Sequence, residues 1–362
     1  MTISKILHLY LLIFGLVFFM ILNLTKPFLL AEEKGLGLKI GYIDAHNHLH
    51  GHIRSPSGVV VDYEGAARVA LSTMDKLGIK KMIVMPPPFP LNHPHTYEID
   101  NFDFIRTLRK YSNRLVFLGG GGTLNVMIQR AVHEGKTSPS LQRSFEKKAL
   151  ELLSKGALGF GEMTAEHFCL GPRHNYQTAP PDHPLFLLLA DISARHGVPI
   201  DIHMEAISER MLLPQRLRFP ENPESLNPNI EAFEQLLAHN RGAKIIWAHV
   251  GWDNTGHRTA KLTSELLKKH PNLYMSFKIS PRDSLIENCP IEPGIGLKAE
   301  WLKVISEFPD RFIIGTDHFY TSPQGERIGP QRVEIMSEFF SLLSPELAQK
   351  VGIENPKLIF NL

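Results

Sequence analysis

Residues 185–203, LFLLLADISARHGVPIDIH, contain the unit from which we predict the fold. The pattern predicts a helix over Leu185–His196 and a strand over Val198–His203, joined by Gly197. The unit returns further along the chain, with a predicted helix over Ile230–His239 and a predicted strand over Ala243–His249. Both strands end on a histidine. Helices that alternate with strands in this way predict an α/β fold with a parallel sheet.

The other predicted elements continue this alternation in both directions. Further strands are predicted at Lys39–Asp44, Lys80–Met85, Arg114–Leu118, Ala157–Met163, Asn272–Phe277 and Arg311–Asp317. Further helices are predicted at Tyr63–Leu77, Phe102–Tyr111, Leu141–Lys155, Arg258–His270, Leu297–Phe308, Gln331–Leu343 and Pro345–Val351. Eight strands, each followed by a helix, predict a (β/α)8 TIM barrel. An open doubly wound sheet is the alternative, but it gathers functional groups at one switch point, whereas polar groups here end strands all along the chain.

The composition is that of a globular protein without an electrostatic signature for nucleic acid. Of its 362 residues, 43% are apolar and 21% are charged, which suits a chain with a large buried core. The 39 basic and 37 acidic residues leave a net charge of +2, so no role in binding DNA or RNA is indicated. The 18 histidines are many for this length, and imidazole is the commonest metal ligand.

An apolar segment precedes the predicted barrel. Ile6–Leu24 contains no charged residue and lies between Lys5 and Lys26. Its 19 residues are at the lower end of what spans a hydrocarbon core and exceed the usual apolar region of a signal peptide. We therefore expect residues 1–31 to be a signal peptide or a membrane anchor, and residues 38–362 to form the barrel domain. The protein would then be exported, to the periplasm or the cell exterior, or associated with a membrane through its N-terminus.

Side chains that can bind metal recur where the predicted strands end. The first strand ends in Asp44-Ala45-His46-Asn47-His48, and alternation along an extended chain directs His46 and His48 to the same face. The fourth, fifth, sixth and eighth strands end with Glu162, His203, His249 and Asp317. In a barrel all these ends meet at one mouth, because every strand runs in the same direction.

Each of these residues has a simpler explanation when it is taken alone. A single histidine at a strand end is more often a hydrogen-bonded core or loop residue than a ligand. Glu162 alone fits an ion pair with a barrel lysine or arginine, and Asp317 alone fits a loop cap. Together, however, such groups would each cost several kcal/mol if they were buried without partners. One shared cation would satisfy all of them, so the joint pattern predicts a divalent metal site.

Four motifs and the C-terminal segment carry a resemblance to a known family. The motifs are Asp44–His48, Asp201–His203, Trp247–Gly251 and Ile314–Asp317, and the C-terminal segment is Gly352–Phe360. In order and in type they resemble the amidohydrolase superfamily, and the last resembles the signature of its amidohydrolase-related branch (amidohydrolase 2). That branch includes metal-dependent hydrolases and decarboxylases. The resemblance covers most of Lys39–Phe360 and implies a barrel with a divalent metal, usually zinc.

The resemblance also implies roles for individual residues. His46, His48 and His203 would hold the metal. Asp317 would be the last ligand and the proton acceptor in catalysis. His249 would bind a second metal or, in an enzyme with one metal, act as a general acid or base.

Glu162 leaves the number of ions open. It departs from the bridging lysine that is familiar in the superfamily, and it is similar to the fourth-strand glutamate of the TatD-type hydrolases, which bridges two metals. If Glu162 only contacts the substrate, one ion is expected. If it bridges, two are expected, and we favour the metal contact.

The reaction that this pattern predicts is hydrolysis of an amide, ester or lactone bond of a small molecule by a metal-activated water. A metal-dependent decarboxylase (carboxy-lyase) of the same branch is the alternative. A barrel that binds a metabolite without catalysis is a third possibility, and a TatD-type nuclease is a fourth that the near-neutral charge disfavours. Lys278 and Arg282 are candidates for holding an anionic substrate, and Trp252 is a candidate for an apolar wall of the site.

Overall fold

The computed structural model describes residues 41–362, except 56–57, 89–90, 92–101, 172–173, 283 and 326–332. The apolar segment Ile6–Leu24, with its predicted role as a signal peptide or anchor, lies outside the described residues. Within the ranges just given, none of the helices is both long enough and apolar enough to cross a membrane.

The described residues form a mixed α/β fold around a curled parallel sheet. The strands are β1 (Ile43–His50), β2 (His52–Ser55), β3 (Gly58–Val61), β4 (Lys81–Val84), β5 (Leu115–Phe117), β6 (Gly119–Gly120), β7 (Phe160–His167), β8 (Gln177–Thr178), β9 (Pro199–Met204), β10 (Met211–Leu212), β11 (Ser225–Leu226), β12 (Lys244–Val250), β13 (Leu273–Phe277), β14 (Ile291–Glu292), β15 (Gly296–Leu297), β16 (Phe312–Ile314) and β17 (His318–Thr321). The helices are α1 (Tyr63–Leu77), α2 (Phe102–Lys110), α3 (Leu124–Glu134), α4 (Pro139–Ser154), α5 (Pro184–His196), α6 (Ile230–His239), α7 (Ala260–Lys269), α8 (Ala299–Glu307), α9 (Ile335–Ser341), α10 (Pro345–Gln349) and α11 (Asn355–Phe360).

The two ends of the parallel sheet lie on consecutive segments of the chain. The order is β5-β4-β1-β16-β13-β12-β9-β7-β6, with every neighbouring pair parallel. Leu118 alone separates β5 from β6. Its amide donates to the Val84 carbonyl oxygen over 3.0 Å, and the next amide, of Gly119, donates to the Gly159 carbonyl oxygen over 3.1 Å. Residues 115–120 therefore pair with β4 on one side and with β7 on the other.

Alternation along the strands separates two apolar clusters. In and just after β4, Met82 and Val84 belong to the large cluster that also contains Met74 of α1. Ile83 and Met85 belong to a second cluster, together with residues of other strands such as Ile43, Ile246 and Ile313. Successive side chains of a strand point to opposite faces, so the large core lies between helices and sheet, and the smaller one lies on the concave side of the curled sheet.

Helix α1 has the bounds that the sequence predicts. The Asp62 carboxylate accepts a hydrogen bond from the Gly65 amide over 2.7 Å, which caps the first turn. Gly78 ends the helix with φ 76°, in the left-handed region where glycine carries no steric penalty. The capping chemistry at both ends is local, and this explains why the prediction is confirmed.

Strand β1 extends further than the sequence predicts. The predicted strand ends at Asp44, whereas β1 continues to His50. Its second half pairs with β17, with Asn47 opposite His318 and His50 opposite Thr321. This pairing joins distant parts of the chain and extends the strand that carries His46 and His48, although its register against β4 shifts between Asp44 and Asn47.

The close approach of two strand ends makes Gly121 a sensitive position. A Cβ atom on Gly121 would lie 2.2 Å from the Pro86 carbonyl oxygen and 3.0 Å from that of Pro87. We therefore expect Gly121→Ala to lower the free energy of unfolding by about 1–3 kcal/mol, measured by urea denaturation. Gly171→Ala is the matched control, because no atom lies within 4 Å of its added Cβ. Equal stability of the two variants would contradict the close approach.

Candidate metal centre

The structure brings the six predicted metal ligands together at the carboxyl ends of the parallel strands. They are His46 and His48 of β1, Glu162 of β7, His203 of β9, His249 of β12 and Asp317, which follows β16. All six side chains are buried. Residues that are far apart in the chain meet there because parallel strands deliver their carboxyl ends to the same side of the sheet.

Glu162 lies at the centre of the cluster. Its Oε2 atom is 3.6 Å from His46 Nε2 and 3.5 Å from His48 Nε2. Its other oxygen, Oε1, is 2.7 Å from His203 Nδ1 and 3.2 Å from His249 Nε2. One carboxylate thus faces two pairs of imidazoles, with one oxygen directed to each pair.

The two carboxylate oxygens of Asp317 also face different partners. Its Oδ1 is 3.1 Å from His48 Nε2 and 3.9 Å from His46 Nε2. Its Oδ2 accepts a hydrogen bond from Lys278 Nζ over 2.5 Å. The same ammonium lies 3.6 Å from the centroid of the Trp252 ring, a distance suited to a cation–π contact. Lys278 and Trp252, both predicted to contact substrate, therefore border the cluster.

The outer nitrogens of the two β1 histidines lie close to oxygen atoms from other parts of the sheet. His46 Nδ1 is 3.1 Å from Asp201 Oδ1, and His48 Nδ1 is 2.8 Å from the Met85 carbonyl oxygen. A carboxylate or carbonyl that holds one ring nitrogen sets the orientation of the other. Both rings consequently direct Nε2 toward Glu162 and Asp317.

The backbone is strained at two of the six residues. His249 has φ 63° and Asp317 has φ 51°, in a region that residues with a Cβ rarely adopt. Buried Arg258 donates to the His249 carbonyl oxygen over 2.8 Å and to that of Trp252 over 2.9 Å. At the other position, the Thr316 amide and hydroxyl donate to the Asp44 carboxylate over 3.0 and 2.7 Å. Such strain persists where neighbouring contacts maintain it, and it is typical of functional sites.

The charges of the cluster compensate one another. Burial lowers the pKa of His46, but the carboxylates of Asp201 and Glu162 outweigh this and raise the pKa well above its usual value. For Glu162 burial acts in the opposite direction, and the charge of His46 with hydrogen bonds from His203 and His249 holds its pKa well below the usual range. Burial likewise raises the pKa of Asp317, and the ammonium of Lys278 outweighs it and leaves that pKa well below normal. The carboxylates therefore stay ionised at neutral pH.

The side chains present fit a divalent metal. One group of ligand atoms within 4.8 Å of one another comes from His46, His48 and Asp317, and a second comes from His46, Glu162 and His249. His46 Nε2 is buried and has no hydrogen-bond partner among the described residues, as expected for a nitrogen that a cation would satisfy. Imidazole and carboxylate donors without a thiolate suit zinc and other first-row divalent ions.

The solved structures that match this chain are amidohydrolase-family structures. A probable 2-pyrone-4,6-dicarboxylic acid hydrolase from Acinetobacter baumannii is 12% identical with a TM-score of 0.49, over 89% of this chain and 100% of that one. A phosphotriesterase from Mycobacterium tuberculosis is 11% identical with a TM-score of 0.49, over 89% and 94% of the two chains. An amidohydrolase from Mycobacterium avium subsp. paratuberculosis is 11% identical with a TM-score of 0.45, over 88% and 99%. No family model and no curated protein matches the chain.

Several residues around the site are not among those predicted from the sequence. Asp201 and Glu205 precede and follow His203 by two positions, and the alternation of a strand would place all three on one face. Arg258 is fully buried, although an arginine in sequence usually indicates the surface. By contrast, the predicted substrate contact Arg282 has an exposed side chain.

The pKa values predict that metal binding releases protons. Burial lowers the pKa of His203, but its hydrogen bond to Glu162 and the nearby carboxylate of Glu205 raise it above normal, as the carboxylates do for His46. Both imidazoles therefore hold their protons to a higher pH than an ordinary histidine does, and a metal ion needs the unprotonated nitrogen. We expect proton release on binding of Zn²⁺ and an affinity that increases from pH 6 to pH 8.

Calorimetric titration of metal-depleted protein with Zn²⁺, in buffers that differ in protonation enthalpy, measures the number of protons released. His239→Gln is the control, because His239 lies on the surface helix α6, outside the cluster. Binding without proton release, or with an affinity that falls as the pH rises, would contradict the charge state derived above.

Proposed function

We propose that this protein is a metal-dependent hydrolase that cleaves an amide, ester or lactone bond of a small molecule. The observation that carries the proposal is the Glu162 carboxylate, which directs one oxygen to His46 and His48 and the other to His203 and His249. A carboxylate in this position is suited to bridge two divalent ions. We also propose that the curled sheet is a closed (β/α)8 barrel, supported by the pairing of residues 115–120 with both β4 and β7.

Two ions account for all six predicted ligands. His46, His48 and Asp317 would hold the first ion. His203 and His249 would hold the second, and Glu162 would contact both. If the centre held a single ion, His249 would instead be available as a general acid or base.

The surrounding charges support the presence of cations. Once metal ions have displaced the protons of His46 and His203, the buried carboxylates nearest to the histidines outnumber the buried cationic side chains around them. The carboxylates are Glu162, Asp201, Glu205 and Asp317, and the cationic side chains are Lys278 and Arg258. A buried excess of negative charge is costly without compensation, and divalent ions of the zinc type would supply it.

Asp317 and Lys278 would have different roles in the proposed hydrolysis. A bound divalent ion lowers the pKa of a water ligand to about 7, so that a nucleophile is available at neutral pH. Asp317 Oδ1 faces the cluster and would accept the proton of the attacking water, then return it to the leaving group. Lys278, hydrogen-bonded to Oδ2, keeps Asp317 ionised and orients it.

Trp252 and Lys278 form one border of the reaction site. Trp252 is buried, and its ring centroid lies 6.1 Å from that of His249 and 6.4 Å from that of His203. Its indole excludes water from this side, which strengthens the electrostatic interactions within. Lys278, held against that ring, is placed to stabilise negative charge on the substrate or in the transition state.

Substitution of Glu162 tests the bridge. We expect wild-type protein to bind two equivalents of Zn²⁺ and Glu162→Gln to bind one or none, because the amide cannot supply an anionic oxygen to each ion. Elemental analysis after gel filtration measures the stoichiometry. Glu231→Gln, at an exposed position of α6, is the control and should bind two equivalents. Two tightly bound ions in Glu162→Gln would exclude the bridging role.

Isotope incorporation tests the reaction. With a panel of lactones, esters and amides in H2¹⁸O, we expect the label in the carboxylate product and a kcat/KM that Asp317→Asn lowers by about 10²–10⁴-fold. The exposed Asp310→Asn serves as the control for the loss of a carboxylate. Release of CO2 without incorporation of label would show a decarboxylase instead.

A further inference from the structure

Strand β9 and the residue after it place three polar side chains on one face at two-residue steps. Asp201 lies beside His46, His203 faces Glu162, and Glu205 follows just beyond the end of the strand. All three are buried, with Glu205 only 1% exposed. The mechanism described above uses His203 and leaves Glu205 without a role, although burial of an ionised carboxylate is costly.

The two ring nitrogens of His203 face two different glutamates. Nδ1 is 2.7 Å from Glu162 Oε1, and Nε2 is 3.8 Å from Glu205 Oε1. His203 Nε2 is buried and has no hydrogen-bond partner within the described part of the chain. An imidazole that binds a metal through one nitrogen carries a proton on the other, which needs an acceptor. Glu205 stands on the side of the ring where that acceptor is required.

Glu205 is itself held from several directions. Its Oε1 accepts a hydrogen bond from Asn254 Nδ2 over 2.7 Å, and its Oε2 is 3.6 Å from Arg258 Nη2. Its backbone amide donates to the Glu166 carbonyl oxygen over 3.1 Å. These contacts fix the position of the carboxylate independently of His203.

Arg258 connects this carboxylate to both histidines of the second ion. It is 0% exposed and donates hydrogen bonds to the backbone carbonyls of Met204, His249 and Trp252. Met204 adjoins His203 in the chain, and His249 has the strained backbone described above. One buried guanidinium therefore supports the backbone at both residues and compensates the charge of Glu205.

We propose that Glu205, held in place by Arg258 and Asn254, is a positioning residue that accepts the Nε2 proton of His203 and so directs Nδ1 to the second metal ion. The proposal rests on the metal centre of the proposed function. It differs from a purely structural role, in which Glu205 would serve only to neutralise Arg258.

Two conservative variants separate these roles. Glu205→Gln has a side chain of the same length and keeps an acceptor oxygen, but it loses the negative charge. Glu205→Asp keeps the negative charge, but its side chain is one methylene shorter and the carboxylate lies further from His203. If Glu205 positions His203, Glu205→Asp should bind the second Zn²⁺ about 10–100-fold more weakly, and Glu205→Gln should stay within about threefold of wild type. A structural role predicts the opposite order, because Arg258 needs the charge.

The experiment measures Zn²⁺ affinity by chelator competition on the full chain, together with ¹⁵N shifts of labelled histidines, which report the nitrogen that binds the ion. We expect Nδ1 ligation of His203 in wild type and in Glu205→Gln, and its loss in Glu205→Asp. Wild-type affinity and unchanged shifts in Glu205→Asp would overturn the proposal. Glu166→Gln is the matched control, because this buried glutamate of β7 accepts hydrogen bonds from Tyr176 and Thr178, and its loss should leave both ions bound.

Two further outcomes are distinguishable. If Glu205→Asp does not fold, the double variant Glu205→Leu/Arg258→Met removes the buried pair as a unit. Retention of the second ion by that variant would then overturn the proposal, and its loss there but not in Arg258→Met alone would support it. Failure of the wild type to bind Zn²⁺ would instead overturn the proposed function itself.

Discussion

The burial of Glu162 among four imidazoles is the constraint on which the rest of the site depends. A carboxylate that is 3% exposed is stable only if nearby positive charge or hydrogen bonds replace the water that it has lost. His46, His48, His203 and His249 provide this. The backbone at His249 must remain strained to bring its ring within reach, and the contacts of Arg258 maintain that conformation.

The pairing of the strands positions the groups that orient the histidines of the site. His46 is oriented by Asp201 of β9, and His48 by the Met85 carbonyl at the end of β4. Each orienting group therefore comes from a strand other than the one that carries the histidine it orients. A shift of one residue in any of these pairings would turn the side chains to the opposite face, so the pairing of the sheet also determines the geometry of the candidate centre.

The sequence indicates which residues end the predicted strands, because alternation along a strand is a local property. Prediction from the sequence fails where pairing with a distant segment determines the local structure. The second half of β1 is a strand because β17 pairs with it, and no local pattern indicates this. Helix α3 (Leu124–Glu134) is missing from the predicted elements, because the four glycines at 119–122 that precede it indicate a flexible loop. Arg258, predicted as the first residue of a helix, instead precedes α7 with its side chain in the core, because buried carbonyls and Glu205 replace the solvent around its charge.

The connection between β1 and the last ligand has a consequence for biosynthesis. His48 and Asp317 are 269 residues apart in the chain, yet their side chains are in hydrogen-bond contact. Translation proceeds from the N-terminus, so this contact cannot form until residue 317 has left the ribosome. Such a large sequence separation also makes closure slow relative to the formation of single helices. A metal ion captured by His46 and His48 alone would be held weakly, and full coordination would therefore mark a chain that has completed both synthesis and folding.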